Sequence, residues 1–177
     1  EQRSHAKAVN FGIVYGISGF GLSRDLNISK KQAEKYIEDY FETYPDVKRF
    51  MDELVEQGKQ KGYVTSLFGR IRPIPEFASK NFMQRQFGER IAMNSPIQGT
   101  AADIIKIAMA RVSRRLEEEG FAAHMILQVH DELDFECPID EVERLTTMVR
   151  DVMEHVVDLR VPLIAEASTG ITWADAK

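Results

Sequence analysis

The 177-residue sequence has a single cysteine and no apolar run that approaches the length of a membrane span. Cys137 alone cannot form an internal disulfide, and no Cys/His cluster has the spacing of a zinc site. A transmembrane helix needs about 20 apolar residues, and the first residues lack the pattern of a signal peptide. These absences exclude a disulfide scaffold, a structural zinc domain and a membrane partner, and they fit a reducing cytoplasm.

The sequence also lacks an excess of positive charge, because its net charge is −5. The distribution is uneven: residues 1–130 carry 19 Lys/Arg and 16 Asp/Glu, whereas residues 131–177 carry 4 and 12. The basic residues of the middle region are Arg70, Arg72, Lys80, Arg85 and Arg90. A surface that binds a nucleic-acid backbone is expected there, although charge alone favours an ordinary solvated helix face.

Hydrophobic periodicity predicts an α+β chain with helices first and strands later. Helices are expected over 2–15 and 20–26, from the capping box at Ser29 to beyond Phe41, and from Pro45 to near Gly62. A small β-hairpin near 63–75 and a helix over 79–93 are expected to follow. Ser95, Pro96 and Gln98 predict the start of a long helix that ends at Gly120. The remainder predicts a hairpin over 122–137, a helix over 139–157 and a closing strand over 163–169. We place the lobe boundary near 94–96.

Arg3, Lys7, Phe11 and Tyr15 recur every four residues and share one stripe of the first predicted helix. Two cations followed by two aromatic rings suit a triphosphate at one end and a flat base at the other. The alternative is an amphipathic helix with Phe11 and Tyr15 in the core.

The full spacing, Arg-x3-Lys-x3-Phe-Gly-x2-Tyr-Gly, resembles the nucleotide-binding helix of the A-family DNA polymerases. The resemblance implies that Arg3 and Lys7 bind the triphosphate and that Lys7 protonates the leaving pyrophosphate. It also implies that Phe11 packs on the incoming sugar and base, and that Tyr15 stacks near the templating position. The helix is then expected to rotate and close over a correct pair.

A second motif is Gln128-Val-His-Asp-Glu, in which Leu127, Val129, Leu133 and Phe135 share one parity. A straight strand would bury Asp131, so we predict a two-residue turn that exposes it. An exposed carboxylate suits Mg²⁺; simple turn chemistry is the alternative. The motif is similar to the A-family palm motif. That similarity implies a metal-ligand role for Asp131, a nearby catalytic carboxylate at Glu132 and DNA contacts by His130 and, most weakly, Gln128.

A third stretch, Arg90 to Asp103, resembles the family segment that enters the long palm helix. The resemblance implies that Arg90, Asn94 and Gln98 contact the minor groove of the primer–template, where acceptor positions are similar for all base pairs. For Gln98, a place in a capping box is an adequate alternative.

Together these resemblances imply a fingers-like helical lobe over 1–95, with its small hairpin, and a partial palm over 96–177. The implied reaction is template-directed DNA synthesis from deoxynucleoside triphosphates on primer–template DNA, with two Mg²⁺ ions and release of pyrophosphate. Because the family's second metal-binding aspartate would lie upstream of Arg3, we expect a fragment of a longer protein that is inactive alone. Two alternatives stay open: a single-subunit RNA polymerase fragment, against which Glu132 argues, and a non-catalytic DNA-binding module. The oligomeric state is not predicted.

Overall fold

The computed structural model describes residues 2–176 as an α+β chain that is mostly helical, as predicted. The chain divides into two compact units, residues 1–100 and 101–177. Between residues 2 and 176, no helix combines the length and the apolar character needed to cross a bilayer.

The first unit begins with four helices whose ends follow local sequence signals. They are α1 (Gln2–Val14), α2 (Gly19–Leu26), α3 (Lys30–Thr43) and α4 (Pro45–Lys61). Asn27 adopts the left-handed conformation after α2, and Ser29 and Gln32 form the predicted capping box at the start of α3. Pro45 occupies the first turn of α4, and Gly62 ends that helix at a φ of 75°.

The predicted small hairpin follows, with strands β1 (Tyr63–Thr65) and β2 (Ile71–Pro73) paired antiparallel. The Leu67 N–H donates to Thr100 Oγ1 at 2.9 Å, which ties the hairpin loop to the next helix. Two apolar clusters form the core of this unit. One contains Leu22, Leu26 and Ala33, and the other contains Val64, Ile74 and Ala92.

Helix α5 (Phe82–Glu118) is continuous over 37 residues and has Pro96 inside it. The helix start predicted at Ser95 is therefore wrong, and Gln98 belongs to no capping box. Inside a helix, proline removes one backbone hydrogen bond and its ring crowds the carbonyl four residues earlier, which together cost about 3 kcal/mol. Packing overrides that signal, because Ala92 and Pro96 are both buried.

The second unit contains the rest of α5, the hairpin of β3 (His124–Val129) and β4 (Glu132–Glu136), and helix α6 (Val142–Glu154). Its core joins α5 and α6 with Ala123, the residue just before β3. The buried members are Val112, Leu116, Ala123, Leu145, Met148 and Val152.

The second hairpin has the register that the predicted two-residue turn requires. Val129 pairs with Glu132 and Leu127 with Asp134, so Leu127 lies on the face of the acidic residues and is 45% exposed. The register shifts between Met125 and Leu127, which are the positions flanking a β-bulge. The bulge lets Met125 pair with Phe135, and both side chains pack on the core.

The closing strand predicted over 163–169 is also wrong. Each sheet among residues 2–176 has two strands, and this segment pairs with neither. An apolar β-rich sequence forms a strand only when a partner edge accepts its backbone hydrogen bonds.

Glu141 holds the chain where it enters β3. Its carboxylate accepts hydrogen bonds from the N–H groups of Ala122 and Ala123, at 3.0 to 3.1 Å. We expect Glu141→Ala to lower the free energy of unfolding by about 1–3 kcal/mol, since it leaves these donors unpaired. Urea denaturation measures the change. Glu143→Ala, an exposed carboxylate nearby, is the matched control, and equal destabilisation by both variants contradicts this role for Glu141.

Candidate functional site

The predicted stripe on α1 is exposed and ordered by its own contacts. Phe11 and Tyr15 are 54% and 40% exposed, and their rings stack with centroids 6.4 Å apart and planes 20° apart. Lys7 Nζ lies 5.8 Å from the centre of the Phe11 ring, within cation–π range. Lys7 and Arg3 are also exposed. The alternative that placed Phe11 and Tyr15 in the core is wrong.

The opposite side of α1 anchors the helix. Ile13 is only 2% exposed, and Ala8 and Val9 pack against the cluster formed by α2 and α3. One helix thus buries small and branched residues on one side and presents two cations and two rings on the other. Exposed aromatic residues beside cations are typical of a surface that binds a flat, negatively charged ligand.

A Schellman motif ends α1. The Gly16 N–H donates to the Ile13 carbonyl, and the Ile17 N–H donates to the Gly12 carbonyl, both at 2.8 Å. Gly16 has a φ of +73°, in the left-handed region that favours glycine. The motif fixes where the chain turns after the Tyr15 ring.

Arg90, Asn94 and Gln98 lie four residues apart on one continuous helix. The sequence prediction had divided them between two helices, and the continuity of α5 brings them onto one stripe. Arg90 and Gln98 are exposed, whereas Asn94 is half-buried. Asn94 Nδ2 makes a long hydrogen bond of 3.5 Å to the Tyr15 carbonyl, and its Oδ1 is buried with no hydrogen-bond partner among the described residues.

Two basic residues of α5, Arg85 and Arg90, differ in their local contacts. Arg85 donates to the carbonyls of Ser79 and Lys80, and so braces the start of α5. Arg90 instead lies over the ring of Phe87, at 5.7 Å from its centroid. Of the two, Arg90 is the better placed for an external ligand.

The second hairpin presents its turn as predicted. His130 and Asp131 form a two-residue turn closed by the pair Val129 and Glu132, and His130, Asp131 and Glu132 are exposed. His130 takes a φ of 53°, which the first central residue of such a turn requires. Gln128 Nε2 donates to the His130 carbonyl at 2.6 Å, so the structure gives Gln128 a role in the turn itself.

The described residues do not fit a complete metal site. No group of three or more His, Cys, Asp and Glu side chains among them is arranged to hold an ion. Asp131 and Glu132 supply two adjacent carboxylates at the hairpin turn, whereas a two-metal site requires further ligands. Burial raises the pKa of the Cys137 thiol, and the negative charges of Glu141 and Asp140 add to this effect. A thiol in such surroundings is a poor nucleophile.

Sequence reasoning missed two contacts of this region. The Met93 side chain lies against Gly16, and the Phe87 ring lies under Arg90. The glycine after Tyr15 was the available signal for the first contact, since such a glycine often marks a close approach. The second contact joins residues three apart on the helix predicted over 79–93, a spacing at which side chains are neighbours.

Comparison with known proteins gives a consistent result. The family model described as DNA polymerase family A matches residues 1–175. DNA polymerase I of Bacillus caldotenax is 57% identical over 175 residues, which cover 99% of this chain and 20% of that protein. DNA polymerase I of Streptococcus pneumoniae serotype 4 is 51% identical with the same coverage. The chain therefore spans about a fifth of the length of these relatives.

A solved structure is similar over nearly the whole chain. It is the POL domain of Pol1 from M. smegmatis in complex with DNA primer-template and dNTP. The TM-score is 0.95 at 39% sequence identity, and the match covers 98% of this chain and 31% of that one.

The two sides of α1 predict different responses to truncation. Ile13→Ala is expected to lower the free energy of unfolding by about 2–5 kcal/mol, because it empties a buried site. Phe11→Ala, on the exposed side, is expected to cost less than about 1 kcal/mol. Chemical denaturation of both variants measures the difference. Equal losses would mean that Phe11 serves the core.

Proposed function

The chain belongs to DNA polymerase family A, and we propose from this membership that it is the nucleotide- and DNA-binding part of a DNA-directed DNA polymerase. The observation that carries the proposal is the exposed stripe of Lys7, Phe11 and Tyr15 on α1. In the proposed reaction, a primer 3′-hydroxyl attacks the α-phosphate of a deoxynucleoside triphosphate, and pyrophosphate leaves.

The stripe divides nucleotide recognition between charge and stacking. Arg3 and Lys7 neutralise triphosphate oxygens, and Lys7 also donates a proton to the leaving pyrophosphate. Phe11 packs on the sugar and base of the incoming nucleotide, and Tyr15 stacks near the templating position. The stacked geometry of the two rings supports these assignments, because it offers one continuous apolar surface next to the Lys7 ammonium.

Arg90, Asn94 and Gln98 are the proposed contacts to the primer–template. Their common stripe supports this role, since side chains four residues apart on a helix can follow successive positions of a groove. Contacts to minor-groove acceptors test the geometry of a base pair without reading its sequence. His130 is proposed to contact the primer strand from the hairpin turn. Gln128 is the weakest member, because its amide already bonds the His130 carbonyl.

Asp131 is the proposed Mg²⁺ ligand of this chain, with Glu132 as a neighbouring catalytic carboxylate. Exposure of both side chains at a two-residue turn supports the assignment, and oxygen ligands suit this hard ion. A magnesium site at Asp131 needs further ligands, since the described residues form no complete metal cluster. We therefore propose that the 177-residue chain does not polymerise by itself.

The relatives favour a DNA polymerase over an RNA polymerase, since the proteins of Bacillus caldotenax and Streptococcus pneumoniae are both DNA polymerase I. A DNA-binding module without nucleotide affinity is the remaining alternative. It shares the stripe on α5 with the main proposal but gives no role to Lys7 and Phe11, so nucleotide binding separates the two.

Lys7→Ala is expected to weaken deoxynucleoside triphosphate binding about tenfold, the equivalent of one charge-assisted hydrogen bond. The measurement is calorimetric titration of the chain with a triphosphate complementary to the template base, in the presence of primer–template. Lys31→Ala removes the same charge from the exposed surface of α3 and is the matched control. Equal affinities of the two variants would contradict the role of Lys7, and absence of triphosphate binding by the original chain would favour the DNA-binding module.

The purified chain is expected to show no template-directed primer extension in Mg²⁺, because Asp131 and Glu132 alone do not make a two-metal site. Gel analysis of a labelled primer provides the measurement. Extension that disappears in Asp131→Asn, and persists in the exposed control Asp158→Asn, would refute the proposed inactivity. Such extension with ribonucleotides as efficient substrates would instead support the RNA polymerase.

A further inference from the structure

The chain that leaves α1 lies against α5 at Gly16. A Cβ at position 16 would clash with Met93 Cε and would lie 3.6 Å from Arg90 Cγ. The Met93 methyl group therefore occupies the space that a side chain at position 16 would take. Two constraints meet here, because the φ of +73° at Gly16 also disfavours other residues.

The contact is reinforced by the neighbouring residue of α5. Asn94 Nδ2 approaches the Tyr15 carbonyl at 3.5 Å. Arg90, Met93 and Asn94 are spaced three and four residues apart, so they share one side of α5. That side meets the last turn of α1, where the Tyr15 ring, stacked on Phe11, leaves the helix.

We propose that Met93 is a positioning residue for the nucleotide-binding stripe. Its methyl group, seated against Gly16, sets the orientation of the last turn of α1 and with it the directions of the Phe11 and Tyr15 rings. Met93 acts through Gly16 and does not contact the nucleotide. The consequence for nucleotide binding rests on the proposed function, whereas the control of the helix end does not.

A methionine suits this position. The approaching atom is the far end of an unbranched, flexible side chain, so the contact can yield when the helix end moves. Leucine keeps most of the apolar volume, whereas alanine leaves the space beside Gly16 empty. Conservative replacement should therefore preserve the function that truncation removes.

Three amides at the end of α1 report the contact directly. The N–H groups of Tyr15, Gly16 and Ile17 donate to the carbonyls of Phe11, Ile13 and Gly12, so their hydrogen exchange measures opening of the helix end. In the 177-residue chain, Met93→Ala is expected to raise these exchange rates about tenfold. Met93→Leu is expected to remain within about threefold of the original rates.

Met83→Ala is the matched control, since Met83 lies on the same helix and is 68% exposed. It is expected to leave the three exchange rates unchanged. Gly16→Ala adds a second test. Part of its effect is the clash with Met93, so it should accelerate exchange less in a chain that already carries Met93→Ala. Equal rates in Met93→Ala and Met83→Ala, or a Gly16→Ala effect independent of Met93, would overturn the proposal.

Titration with a deoxynucleoside triphosphate in the presence of primer–template completes the experiment. Met93→Ala is expected to lower the affinity about fivefold, and Met93→Leu to restore it. If the exchange rates respond to Met93 while the original chain binds no triphosphate, the proposed function fails and the control of the helix end stands. If the triphosphate binds and neither exchange nor affinity responds to Met93, the positioning role fails alone.

Discussion

The unbroken course of α5 through Pro96 is the constraint on which most of the structure depends. Local sequence favours a break in the helix at Pro96. A proline inside a helix removes one backbone hydrogen bond and crowds the preceding turn, at a cost of about 3 kcal/mol. Burial offsets that cost, because Ala92 belongs to the core of the first unit, and Val112 and Leu116 to that of the second. The same continuity aligns Arg90, Asn94 and Gln98 on one stripe and places Met93 against Gly16.

Helix α1 combines a buried side that anchors it with an exposed side that carries cations and aromatic rings. Its buried side, centred on Ile13, is packed well enough that its other side can present Phe11 and Tyr15 to solvent. Full burial of a side chain of this size contributes about 1.5–3 kcal/mol, and each partly exposed ring forgoes part of that free energy. The proposed function accounts for this exposure, because the base and sugar of a nucleotide would cover the rings during the reaction.

The hairpin at Asp131 is held by backbone geometry more than by side-chain burial. A two-residue turn, a positive φ at His130 and the hydrogen bond from Gln128 define its tip. The bulge between Met125 and Leu127 lets Met125 and Phe135 reach the core. Nearer the turn, the side chains of Leu127 and Val129 share a face with Asp134 and Glu132. Asp131 is exposed because it lies in the turn, whichever face the apolar residues of the two strands occupy.

Local signals in the sequence were sufficient for the features that a few neighbouring residues control. These include the capping box at Ser29, the helix ends at Asn27 and Gly62, the turn at Asp131 and the spacing that identifies the family. Features that depend on distant partners were not readable in this way. The sequence predicted a helix start at Ser95 and a strand over 163–169, and it contained no sign of the bulge between Met125 and Leu127. Tertiary structure decided all three features. The reason is common to them: a proline is tolerated where packing compensates for it, a bulge appears where the core requires it, and a strand exists only beside another strand.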